Sequence, residues 1–121
     1  MMEFEIENFN ALTVALHRMC ETLFAENVPE EAVFDSKLVA SELISNALQH
    51  GGGAAHLKAA HSGNEIRISV KSAKPFRPPA RSVCSPVTAE RGRGLFLVDA
   101  IVTSRGYSEQ DGVIVVVLIK K

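Results

Sequence analysis

Leu38-Val39-Ala40-Ser41-Glu42-Leu43-Ile44-Ser45-Asn46-Ala47-Leu48-Gln49-His50-Gly51 is the stretch on which the reading of this chain turns. Val39, Ala40, Leu43, Ile44, Ala47 and Leu48 recur at the three- and four-residue intervals of a helix with one apolar face. Glu42, Asn46 and His50 stand at i, i+4 and i+8. Each step turns the helix by about 40°, so all three side chains point into one narrow sector. A carboxylate there can act as a general base, and an amide oxygen can ligate a hard cation such as Mg2+. Glutamate and asparagine are also common solvated residues on helices, and the spacing alone leaves both readings open.

Upstream, Val28-Pro29-Glu30-Glu31 starts this helix, with proline in the first turn and acids at the positive end of the dipole. Gly51-Gly52-Gly53 stops it after His50. An earlier helix is expected from Ala11 to Phe24, with Leu12, Leu16, Met19, Cys20 and Leu23 on one side and Asn10 as its N-cap. Before it, Phe4-Glu5-Ile6-Glu7 alternates apolar and polar like an edge strand.

Downstream, Ala54 to His61 and Glu65 to Val70 flank Ser62-Gly63-Asn64, the signature of a hairpin. A second hairpin is expected from Thr103–Ser108 and Val113–Lys120, turning at Glu109-Gln110-Asp111-Gly112. Between the hairpins, Gly92-Arg93-Gly94 leads into a short helix from Leu95 to Val102. The order is strand, helix, helix, strand, strand, loop, helix, strand, strand. This predicts an α+β two-layer sandwich: a mixed, mainly antiparallel sheet with its helices on one face. No repeat and no second domain is visible, and residues 1–121 read as one domain.

The loop is unusual. From Lys71 to Arg93 six basic residues (Lys71, Lys74, Arg77, Arg81, Arg91, Arg93) face a single acid, Glu90, in a chain with 13 basic and 14 acidic residues. Four of the five prolines, Pro75, Pro78, Pro79 and Pro86, lie in it. Proline disfavours both helix and central strand, which makes residues 71–91 a long loop, and loops of that length often serve as lids. Gathered positive charge fits an anion, and it equally fits a solvated loop. At its end, Glu90-Arg91-Gly92-Arg93-Gly94 combines glycines that admit a close ligand, two guanidinium groups and a helix start. The same glycines could simply form a tight turn.

The two features together are more specific. Leu38–Gly51 resembles the N box of the GHKL ATPase superfamily, and Gly92-Arg93-Gly94-Leu95-Phe96-Leu97-Val98 resembles its second glycine box. The intervening hairpin and loop match the Bergerat sandwich, and the resemblance covers nearly the whole chain. It is strongest to the compact anti-sigma-factor serine/threonine kinase branch. By that resemblance Glu42 is the general base and Asn46 the Mg2+ ligand. Gly92 and Gly94 cradle the phosphates, His50, Arg91, Arg93 and Leu95 lie around them, and the loop 71–91 is the ATP lid. The resemblance implies ATP and Mg2+ as cofactors, a sigma factor and an anti-sigma-factor antagonist as protein partners, and a homodimer. One departure stands out. Where the family's first glycine box carries the aspartate that binds the adenine amino group, this chain has Ser72, with Lys74 and Phe76 in place of the glycines. That departure keeps open a silent binding module of the same fold, and a detached histidine kinase catalytic domain is a separate third reading.

Composition limits the rest. The chain is 46% hydrophobic and 22% charged, with six Phe, one Tyr and no Trp, which describes a globular domain with an aliphatic core. A net charge of -1 gives no overall polycation for nucleic acid. The longest apolar run, Val113 to Ile119, is far below the roughly 20 residues needed to span a bilayer. The acidic start Met1-Met2-Glu3-Phe4-Glu5 is unlike a signal peptide, and Cys20 and Cys84 lack metal-type spacing. A cytoplasmic protein with no membrane contact is the expectation.

Overall fold

The structure, a computed structural model, describes residues 1–74 and 89–119. In chain order it contains β1 (Met2–Ile6), α1 (Phe9–Ala25), α2 (Glu30–His50), β2 (Ala55–Ser62), β3 (Glu65–Ser72), α3 (Ala89–Ile101), β4 (Ser104–Ser108) and β5 (Gly112–Leu118). The strands form one sheet in the order β1-β2-β3-β5-β4, and every neighbouring pair is antiparallel. β1 is the edge strand that its alternation predicted. Its Ile6 is buried, and the intervening Glu3 and Glu5 are exposed. Most of the basic loop, with Cys84, lies outside the described residues.

Helices and sheet meet in one aliphatic core. Leu16, Met19 and Leu23 of α1 and Val39, Leu43 and Ile44 of α2 pack over Leu57, Ile66, Ile68, Val115 and Val117 of the sheet. The six helix positions among them are ones that the periodicity assigned to buried faces. The α1–α2 connection is short because Asn27 takes a left-handed conformation (φ 63°), and Val28 N–H reaches back to the Leu23 carbonyl at 3.0 Å. That reversal closes α1 and lets Pro29 start α2.

Two local expectations differ from the structure. The N-cap of α1 is Asn8 rather than Asn10: its Oδ1 accepts from Ala11 N–H at 2.7 Å, so the helix begins at Phe9. The last helix starts at Ala89, six residues before Leu95. Ala-Glu-Arg at its start favours helix, and burial of Leu95 and Val98 offsets the roughly 1 kcal/mol that each interior glycine costs. Gly92 and Gly94 therefore lie inside α3 and do not precede it.

A side-chain clamp holds α3 to the edge of the sheet. Arg105 of β4 donates to both carboxylate oxygens of Asp99, from Nε at 2.5 Å and from a terminal nitrogen at 3.0 Å. Arg105 is 9% exposed and Asp99 29%. Removing the cation strands a partly buried carboxylate, so Arg105→Ala is expected to lower stability by about 2 kcal/mol, read as a drop in the urea midpoint with m unchanged. An effect below 0.5 kcal/mol would show that the pair is fully screened.

Candidate nucleotide site

The site is built where the end of α2 meets the end of β3. Helix α2 ends at Gly51, whose N–H still reaches the Ala47 carbonyl at 2.8 Å. A Cβ on Gly51 would overlap Ser72 Cβ and lie 2.7 Å from the Ala47 carbonyl oxygen. Only glycine lets the helix terminus come this close to the strand. Past it the chain returns to the strand: Lys74 N–H donates to the Gly51 carbonyl at 2.8 Å, and Ala73 N–H to the Ala54 carbonyl at 2.9 Å. Gly52 and Gly53 have φ of 94° and 84°, conformations open to glycine. The glycine triplet therefore does more than stop a helix. It fastens the helix to the Ser72 loop.

On α2, Glu42 and Asn46 are half-buried and His50 is exposed, on a helix whose Leu43, Ile44 and Ala47 are in the core. Asn46 is about 7 Å and Glu42 about 13 Å back along the axis from Gly51, at 1.5 Å per residue. Both acceptors thus border the core without joining it. Among the described residues no three His, Cys, Asp or Glu side chains could together hold a metal ion. Asn46 as a single protein ligand still suits Mg2+, which keeps most of its waters and takes other oxygens from phosphates.

Ser72 is the last residue of β3 and is half-buried. Its hydroxyl donates to the Lys74 carbonyl, a short bond inside its own turn. With the proton committed there, Ser72 has only oxygen lone pairs left for a ligand. It opens on a cleft of about 370 Å³ lined by Lys71, Ser72, Ala73, Tyr107, Glu109 and Gly112. Tyr107 comes from β4, whose pairing with β5 puts it opposite Val113. No sequence signal marks Tyr107 as a neighbour of Ser72, because the two meet only through the β3-β5-β4 order.

The second glycine box lies in α3, which packs against α2. Gly92 is the fourth residue of α3, in the first turn, where helical N–H groups lack a partner within the helix, and Gly94 lies in the second turn, where they ordinarily have one. Leu95 is buried, on the same side as Val98. The backbone of Arg91 and Arg93 follows the same helix.

Helix–helix–hairpin–helix–hairpin order, an open antiparallel sheet and the N-box helix clamped to β3 agree with one known family. A profile of the histidine kinase-like ATPase domain matches residues 7–120. The chain belongs to that family. The match runs from the start of α1 through β5 and takes in Glu42, Asn46, Ser72 and the α3 glycines. No curated protein matches the chain significantly. Among the described residues no helix is long and apolar enough to cross a membrane.

Proposed function

We propose that this histidine kinase-like ATPase domain binds Mg-ATP and phosphorylates a serine or threonine on an anti-sigma-factor antagonist. In this reading it acts in the cytoplasm as a homodimeric regulator that also binds a sigma factor. The observation that carries the proposal is the placement of Glu42 and Asn46, half-buried and one turn apart on α2, the helix whose end at Gly51 packs against Ser72. Asn46 would hold Mg2+, which would supply charge neutralisation at the phosphates. Glu42 takes the proton of the attacking hydroxyl as its oxygen bonds to the γ-phosphorus. The bond from that phosphorus to the β–γ bridging oxygen breaks, and ADP leaves. Positioning and charge supply most of the rate in such transfers. His50, Arg91, Gly92, Arg93, Gly94 and Leu95 border the phosphates in this assignment.

The silent binding module is the second reading, and Ser72 is the observation that favours it. A neutral lone pair replaces a carboxylate at the base-reading position, at a loss of roughly 1.5–3 kcal/mol, a ten- to hundredfold weaker complex. Calorimetric titration with ATP, with and without Mg2+, decides whether nucleotide binds at all. Ser72→Asp is expected to tighten ATP binding by about that same ten- to hundredfold. Inosine triphosphate, with a carbonyl where adenine has its amino group, should gain nothing from the change. Equal gains for both nucleotides, or none for ATP, would remove Ser72 from the base-binding position.

A further inference from the structure

The line that carries Glu42 and Asn46 continues toward the start of α2 through Leu38 and Phe34, four and eight residues before Glu42. Both are exposed, Phe34 by 57% and Leu38 by 38%, where a helix in water would ordinarily carry polar side chains. Carboxylates surround them on the same helix: Glu30 and Glu31 are exposed and Asp35 is half-buried. Lys37, exposed and seven residues after Glu30, lies with it on the flank toward α1, where burial pushes the Cys20 thiol up and Lys37 partly offsets that rise. The surface leading to Glu42 is therefore apolar at its centre and acidic on the border shared with Glu31 and Asp35, with Glu30 and Lys37 of opposite charge on the other.

We propose that Phe34 and Leu38, with Glu30 and Glu31 beside them, dock the segment of the partner protein that carries the acceptor hydroxyl. The inference rests on the kinase reading of Glu42. It adds the chemistry of the substrate. The occupant is apolar with basic neighbours, because its apolar side chains cover Phe34 and Leu38 while lysine or arginine meets the carboxylates. Leu38 lies about 6 Å and Phe34 about 12 Å along the helix from Glu42. An extended chain covers about 3.3 Å per residue, so the acceptor serine sits about two to four residues from the apolar anchor.

A series of fluorescein-labelled peptides tests this, each with one serine, a Leu-Leu pair and two arginines beyond the pair. The serine-to-leucine spacing is stepped from zero to eight residues. Fluorescence anisotropy without nucleotide reads docking, and radiolabelled ATP reads transfer. Wild type is expected to bind the peptides, with affinity falling at least tenfold in the double variant Phe34→Ser, Leu38→Ser and in peptides with glutamate for arginine. Transfer should peak at spacings of about two to four. The variant should keep its thermal midpoint and its ATP affinity, since both side chains are exposed. Binding that depends on Phe34 and Leu38, without transfer, supports the docking surface and removes the kinase reading. Transfer that ignores both residues and the spacing supports the kinase and overturns the docking surface, as does failure of wild type to bind any of the peptides.

Discussion

Glu42→Ala should leave ATP affinity nearly unchanged while phosphoryl transfer falls by roughly 10²–10⁴-fold, the range for loss of a general base. The asymmetry follows from what Glu42 is assigned to touch: the acceptor's hydroxyl, not the nucleotide. Asn46→Ala is the complementary case. It removes a metal ligand, so it should weaken nucleotide binding itself, and only with Mg2+ present. If both side chains are only part of the helix surface, each change should stay within about 0.5 kcal/mol in stability and alter no binding. Calorimetry with and without Mg2+, paired with transfer from radiolabelled ATP to a bound partner, separates these outcomes. Wild type that binds a partner and transfers no phosphate to it would leave the binding module standing.

Gly112→Ala is expected to be the most damaging single methyl added to the fold. Gly112 opens β5 with φ 77°, and a Cβ there would sit 2.6 Å from Lys71 Cα and 2.8 Å from the Val70 carbonyl carbon. Both obstacles are backbone of β3, the central strand, and neither can swing aside as a side chain can. Left-handed strain costs about 1–3 kcal/mol, and the clash adds to it. A loss of about 3 kcal/mol or more should lower the melting midpoint by on the order of 10 °C. Gly53→Ala is the control: φ is 84°, but nothing lies within 4 Å, so only the strain remains. Equal midpoints for the two variants would show that β3 yields at Val70 and Lys71. The same contact touches the cleft beside Ser72, since Gly112 and Lys71 both line it.

Much of this was legible before any fold was drawn. The 3.6-residue period of α1 and α2, the alternation of β1 and β3 and the glycine or Asp-Gly turns are local properties, fixed by side-chain direction and backbone freedom within a few residues. They located all eight elements, and the N-box spacing placed Glu42 and Asn46 on one sector of one helix. Ends were less legible, because they depend on which of several competent groups wins. Asn8 and Asn10 can both cap α1, and the geometry of Phe9 onward selects Asn8. Glycines read as a loop were drawn into α3 once Leu95 and Val98 had a core to enter.

The amino-acid sequence by itself determined the family's element order, the aliphatic core and the helical line from Phe34 through Leu38 and Glu42 to Asn46, because each needs only neighbours along the chain. The tertiary structure alone decided which distant groups meet. It set Gly51 against Ser72, turned the Ser72 hydroxyl into its own loop, brought Tyr107 to the same cleft and joined Glu26 to His61 at 2.8 Å. Among the described residues it also left Phe34 and Leu38 exposed. The physical reason is range: periodicity and turn chemistry act within a few residues, whereas these contacts depend on strand register and helix docking across up to 35 residues or more of chain.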